Sequence, residues 1–269
     1  KSRGLGRKGV VVGDIARVVG DTTGADGTLA RIVEVEERST VLRRTADDDD
    51  PIERIIVANA DQLLVVAALA DPPPRPGLID RCLVAAFDAG MTPLVVLTKA
   101  DLAAPDDVLV QLEPLEVQVL VTRRGGSVEE VRAALDGHVT ALVGHSGVGK
   151  STLVNALVPD AERVTSHVNA VTGRGRHTST SAISLALPPG DGLVGGRIID
   201  TPGIRSFGLA HVQPDHLIRA FPDLEDAARD CPRGCPHTLD EPECALDVAV
   251  AEGRVPTARV ESFRRMLAS

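Results

Sequence analysis

GHSGVGKS, residues 144–151, fits the pattern G-x-x-x-x-G-K-[ST] at every fixed position. It lies between HVTALVG, which reads as a strand, and KSTLVNAL, which reads as a helix with Leu153 and Leu157 on one face. Strand, glycine loop and helix together make a phosphate cradle. The glycines let the backbone fold back so that successive N–H groups converge, and the helix N-terminus adds its positive end. Gly144, Ser146, Gly147, Val148, Gly149, Lys150, Ser151 and Thr152 are the candidate phosphate-binding positions. Lys150 would bridge the β- and γ-phosphates, which makes it a catalytic candidate as well, and Ser151 would offer its hydroxyl to Mg²⁺.

Working outward, IIDTPG (198–203) supplies the expected companion. Asp200 ends a hydrophobic strand and would hold Mg²⁺. Gly203, with no side chain, lets its N–H approach the γ-phosphate. GRGRHTSTS (173–181) lies between the two motifs, where a first switch loop belongs, and Thr178 or Thr180 could ligate Mg²⁺. Ile204 stands where many GTPases carry a water-orienting Gln, so intrinsic hydrolysis should be slow. His177 is the one ionisable side chain in the switch suited to positioning water. Its alternative uses are contact with RNA or structural packing.

Upstream, VLTKADL (96–102) ends another apolar strand. The Asp101 carboxylate would accept both N–H groups of guanine, a pair that adenine does not present. Lys99 would lay its stem on the base, and Thr98 opens the loop. VTRRGGS (121–127) is placed to be the last base-contacting loop. The motifs therefore run base loop, phosphate loop, switches, whereas an ordinary GTPase begins with the phosphate loop. Strands take their places by pairing, not by chain order, so joining old termini and opening the chain elsewhere preserves the site. The order predicts a circularly permuted GTPase domain.

The 269 residues, 43% hydrophobic and 25% charged, suit a folded chain of more than one domain. A net charge of −9 argues against a surface that coats nucleic acid throughout. With four Phe and neither Tyr nor Trp, a stacking platform for single-stranded bases is not expected. KSRGLGRKG has no apolar signal-peptide core, and its abrupt start without Met suggests a trimmed chain. Over 1–46, nine basic residues face six acidic ones, and short Val/Ile-rich runs alternate with Gly turns, as in a small β-barrel or sandwich. DDDDP (47–51) reads as a linker. From about residue 52, strands and helices alternate as in an α/β fold with a mostly parallel sheet. RPGLIDRCLVAAFDAG, LIRAFPDLEDAARD and PTARVESFRRMLAS read as helices, the last with Val260, Phe263 and Leu267 at helical spacing, and Ser127 with Glu130 forms a capping pattern.

Cys231, Cys235, His237 and Cys244, spaced C-x3-C-x-H-x6-C, offer three thiolates and an imidazole. That is a complete tetrahedral Zn²⁺ shell with no open position, hence structural. Cys82, alone on a helix, reads as core. Because the second switch leads quickly into this segment, nucleotide state is expected to move or loosen it. Lys1, Arg3, Arg7 and Lys8, with Arg174, Arg176, Arg264 and Arg265, are candidate RNA-facing cations, though each alone reads more readily as a solvated face.

TKAD, GHSGVGKSTLVNAL, GRGRHTST, DTPGIRSFGL and CPRGCPHTLDEPECAL, in that order, resemble the bacterial ribosome small-subunit-dependent GTPase A family (RsgA, also called YjeQ) over essentially the whole chain. The resemblance implies an OB-like barrel over 1–48, here lacking its first strand, a permuted P-loop GTPase domain over 49–209, and a small α-rich zinc domain over 210–269. It also implies a cytoplasmic, monomeric GTPase acting late in maturation of the small ribosomal subunit, binding its rRNA and stimulated by it. It makes the same suggestion for His177. The usual first base-loop residue of that family is Asn; Thr98 replaces it here, which is expected to weaken guanine binding. Two other readings remain: a GTP sensor that holds a protein partner, and an ATP-using P-loop enzyme, which Asp101 opposes.

Overall fold

The computed structural model describes residues 9–23, 25, 27–45, 53–159, 161, 182–190, 192–204, 207–209, 212 and 214–268. His177, Thr178, Thr180, Arg174 and Arg176 lie outside the described residues, as do Lys1, Arg3, Arg7, Lys8 and the acidic run 47–51.

At the N-terminal end, two small antiparallel sheets form. β1 (Ala16–Gly20) pairs with β2 (Ala30–Val35), and β3 (Val41–Arg44) pairs with β4 (Arg54–Ala58). The run VVVGD contributes only a bridge from Val12 to Val57. Arg38 ties this unit together by donating to both carboxylate oxygens of Asp14, at 2.7 and 3.0 Å.

β5 (Gln62–Ala68), β6 (Thr92–Thr98), β7 (Gln118–Val121), β8 (Val139–Gly144), β9 (Ile183–Leu187) and β10 (Gly196–Asp200) form one six-stranded sheet in the order β7-β6-β5-β8-β10-β9. Every neighbouring pair is parallel except β9 with β10. β5 lies at its centre and is buried at all seven positions, as its unbroken apolar run requires. Side-chain alternation separates two cores. Leu63, Val65, Val95, Leu97, Val143 and Ile199 face one side, and Leu64, Val66, Leu94, Val96, Leu142 and Ile198 the other.

α1 (Pro76–Asp88) covers the first side, starting on a proline whose missing N–H costs nothing there and ending before Gly90 at φ +67°. α2 (Asp106–Leu112), α3 (Glu129–Ala134) and α4 (Lys150–Leu157) follow in the chain, α3 and α4 on the second side. α3 starts later than the capping pattern suggests: Val128 is the cap residue, and the Ser127 hydroxyl accepts the Glu129 N–H at 3.2 Å. Glu130 is thus not the third helical residue that a capping box needs.

Beyond the sheet, LIRAFPDLEDAARD is two helices, not one. α5 (Pro214–Ile218) ends before Pro222, and α6 (Pro222–Ala228) begins on it. Proline lacks the donor N–H and pushes its predecessor, Phe221, out of the helical region, to φ −123° and ψ 82°. α7 (Ala245–Ala251) and α8 (Thr257–Leu267) complete the chain. Val260, Phe263 and Met266 of α8 are buried, whereas Leu267 is only partly so. These helices do not keep a separate core. Phe221 stands edge-on between Phe87 of α1, at 5.4 Å, and Phe263 of α8, at 5.6 Å. Among the described residues no helix is long and apolar enough to cross a membrane.

Candidate functional site

In a parallel sheet, loops after neighbouring strands share one edge. The TKAD loop follows β6, the phosphate loop follows β8 and DTPG follows β10, so the topology brings all three together despite their order in the chain. A cavity of about 670 Å³ opens there, lined among others by Lys99, Asp101, Arg123, Arg124, Gly147 and Gly149. Its size suits a nucleotide.

The phosphate loop turns through Gly147 at φ +83° and Gly149 at φ +92°, conformations that favour glycine. Gly144 has a different constraint: a Cβ there would stand 2.6 Å from the Val66 carbonyl oxygen of β5. Lys150 is buried and donates to Asp200 and to the Thr201 carbonyl. The two side chains proposed for phosphate and Mg²⁺ are thus already side by side. The Thr201 hydroxyl donates to the Leu142 carbonyl at 2.6 Å, and the Ile204 N–H to the Gly144 carbonyl at 3.0 Å. DTPG is thereby stitched to the end of β8, with Gly203 over Ser146. Ile204 is itself buried, so it addresses the core and not an attacking water. Ser151 and Thr152 open α4 beside the loop.

Thr98 braces the base loop through a bond to nearby backbone. Its hydroxyl is buried and donates to the Val148 carbonyl inside the phosphate loop, at 2.5 Å. Its side chain also lies beside Gly149, where an added Cβ would stand 3.6 Å from Oγ1. The base loop and the phosphate loop are therefore pinned to each other. Lys99 adopts φ +63° and donates to the Asp71 carbonyl, a partner that no sequence motif announced. Asp101 lies at the surface and accepts the Arg124 N–H at 3.1 Å. That bond, chiefly, holds its carboxyl below the usual range, so it stays an anion able to accept guanine N–H groups. Residues 122–126 thus line the cavity, and the Arg124 N–H holds the Asp101 carboxylate as well.

Between α6 and α7, Cys231, Cys235, His237 and Cys244 converge, their ligand atoms all within 4.8 Å of one another. The three Sγ atoms stand 3.6, 3.5 and 3.8 Å from His237 Nδ1. A tetrahedral ion with bonds of ~2.0–2.3 Å requires donor-to-donor edges of about 3.6–3.8 Å. The cluster fits a metal ion by geometry and donor chemistry. Burial pushes the Cys235 thiol up to about 11 and raises Cys231 too, the latter against the Ala245 N–H that it accepts. A cation would displace those protons.

The candidate RNA-facing pair on α8 already has partners in the chain. Arg264 donates to Asp247 and Arg265 to Asp80, so both guanidinium groups are engaged within the chain.

The RsgA GTPase model matches residues 35–210. The chain belongs to the RsgA GTPase family. Its relatives include the "Small ribosomal subunit biogenesis GTPase RsgA" of Pseudomonas aeruginosa, 39% identical over 271 residues, covering 94% of this chain and 76% of that one. The protein of that name from Paraburkholderia phytofirmans is 41% identical over 269 residues, covering 97% and 83%. Among solved structures, YjeQ from Thermotoga maritima superposes with a TM-score of 0.67 at 28% identity, over 96% of this chain and 84% of that one. YloQ, described as a circularly permuted GTPase, shares the fold with a TM-score of 0.64 at 24% identity, over 100% and 84%. As an RsgA-family protein this chain is a GTP hydrolase, and its motif order is that of a circularly permuted GTPase.

Proposed function

We propose that this RsgA-family enzyme hydrolyses GTP on the small ribosomal subunit late in its maturation, and that hydrolysis releases it. The observation that carries the nucleotide half of this reading is the meeting of Asp101, an exposed anion, with Gly147 and Gly149 of the phosphate loop and Thr152 of α4 in one cavity. The names of the relatives carry the partner half.

In this reading Asp101 selects guanine, Lys99 covers the base and Thr98 braces the loop. Gly144, Ser146, Gly147, Val148, Gly149 and Thr152 surround the phosphates, and Gly203 senses the γ-phosphate. Lys150 exchanges its contact with Asp200 for the phosphate oxygens. Ser151, Asp200 and either Thr178 or Thr180 would hold Mg²⁺, which neutralises charge developing on the phosphates. With Ile204 turned inward, His177 is the residue we assign to water positioning. Cys231, Cys235, His237 and Cys244 would hold one structural Zn²⁺, since thiolate and imidazole donors in a closed tetrahedron favour that ion. The proposed division is a barrel-like unit over 1–48, the GTPase domain over 49–209 and the zinc domain over 210–269. The protein works as a cytoplasmic monomer and contacts rRNA.

The test is GTP hydrolysis by the protein alone, with small subunits and with large subunits. Stimulation by small subunits only is expected. Tight GTP binding without stimulation by either would favour the sensor reading. His177→Ala should abolish stimulated turnover and spare nucleotide binding; equal turnover would remove His177 from the mechanism.

A further inference from the structure

Two adjacent arginines of α8 reach in opposite directions. Arg265 grips α1, donating to Asp80 at 2.8 and 3.3 Å, and also reaches the Gln111 carbonyl at 3.3 Å. Arg264 turns toward the metal cluster. Its side chain is only 9% exposed, and it donates to both oxygens of Asp247 at 2.7 and 2.8 Å. Its Nε N–H donates to the backbone carbonyl of His237 at 3.0 Å. His237 has φ +57°, a left-handed conformation unfavourable to a residue with a Cβ. That conformation directs Nδ1 at the three sulfurs. Arg264 is also near enough to Cys244 to interact with it electrostatically. Three thiolates and a neutral imidazole around a divalent cation leave one negative charge, and Arg264 is the buried cation beside it.

We propose that Arg264 is a positioning residue for the metal. The Asp247 fork fixes the guanidinium, Nε holds His237 in the conformation that presents its ring, and the positive charge offsets the cluster. The inference rests on reading Cys231, Cys235, His237 and Cys244 as a zinc site. It makes metal retention depend on α8, the helix that also clasps α1 through Arg265. A lysine cannot reproduce this, because a single ammonium does not span the fork and the carbonyl together.

The experiment measures zinc per chain, then the rate of zinc transfer from the intact protein to 4-(2-pyridylazo)resorcinol. The variants are Arg264→Gln, Arg264→Lys and Asp247→Asn, with Arg254→Lys, in an exposed pair with Glu252, as control. Arg264→Gln should release zinc roughly ten- to a hundredfold faster, the range for losing a group that orients a ligand. Arg264→Lys should recover only part of this, Asp247→Asn should fall between, and the control should match wild type. Cobalt-substituted Arg264→Gln should also show displaced ligand-field bands, which a general loss of stability would not produce. Asp247→Asn leaves α8 unchanged and so keeps the test open if Arg264→Gln folds poorly. Wild-type release rates and cobalt spectra in Arg264→Gln, or in Asp247→Asn if only that folds, would overturn the proposal. Absence of stoichiometric zinc from the wild type would instead overturn the zinc reading beneath it.

Discussion

Thr98 shows what one hydroxyl does when a shorter side chain replaces a longer one. An Asn offers an amide; Thr98 offers a single O–H, and it is placed 2.5 Å from the Val148 carbonyl. Losing a buried hydrogen bond of this kind costs roughly 1–3 kcal/mol when the acceptor is left unsatisfied. Thr98→Val should therefore weaken GTP and GDP binding roughly five- to a hundredfold, with Thr98→Ser near wild type. Equilibrium titration with a fluorescent guanine nucleotide reads both. If valine bound as tightly as threonine, the brace would be without consequence. At this scale placement was legible: Lys150 and Ser151 lie in the first turn of α4, Asp101 lines one cavity with Gly147 and Gly149, and the Cys/His quartet converges. What spacing could not convey is orientation. The Arg124 N–H on Asp101, the Asp71 carbonyl under Lys99 and Arg264 behind His237 join residues 23, 28 and 27 positions apart. No local pattern encodes such pairs.

At the scale of elements, the parallel sheet was readable because buried strands must be continuously apolar. The break before Pro222 was overlooked because helical periodicity on either side outweighed one residue. The element contact with the largest stake is the Phe87, Phe221 and Phe263 stack. Phe221 is fully buried, and truncating a core aromatic costs about 3–5 kcal/mol. Phe221→Ala should lower the urea midpoint accordingly, and a shift under 1 kcal/mol (roughly the exposed-surface range) would mean that the helices repack around the gap. A second prediction concerns the N-terminal unit. Burial alone would raise the Asp14 carboxyl, but Arg38 and the Val11 N–H overcome it and hold it below its ordinary 3.8. The folded value lies under the unfolded one. Stabilisation is thus fully present above pH 3.8 and is lost as pH falls through the folded value. Asp14→Asn should melt lower than wild type at neutral pH, with the gap closing in acid. A gap that stayed constant down to pH 2 would contradict the assignment.

Across the whole molecule, the exit from the second switch is held from two sides. Arg81 of α1 donates to the Phe207 carbonyl at 2.8 Å, and the Thr45 N–H at the end of β3 donates to the Gly208 carbonyl at 3.1 Å. Phe207 is fully buried in the core that α1 shares with the C-terminal helices. Movement of DTPG with the nucleotide thus has a short route to both ends of the chain. Removing the metal should lower subunit-stimulated hydrolysis or nucleotide affinity; if both survive chelation, the coupling is absent. Thiol labelling offers a direct reading of the same architecture. With metal bound, no cysteine should react quickly. Chelation should expose the three of the cluster. Cys82, fully buried and with its thiol pushed up to about 12, should label only on unfolding.

The shared core also has a consequence for how the chain is made. Phe87 of α1 is translated well before Phe221 and Phe263, which close over it. At ~5–20 residues per second, that interval lasts on the order of ten to thirty seconds. Throughout it, one apolar side of the nascent sheet and its helix waits for a cover that has not yet been synthesised. The chain is thereby open to chaperones until α8 arrives.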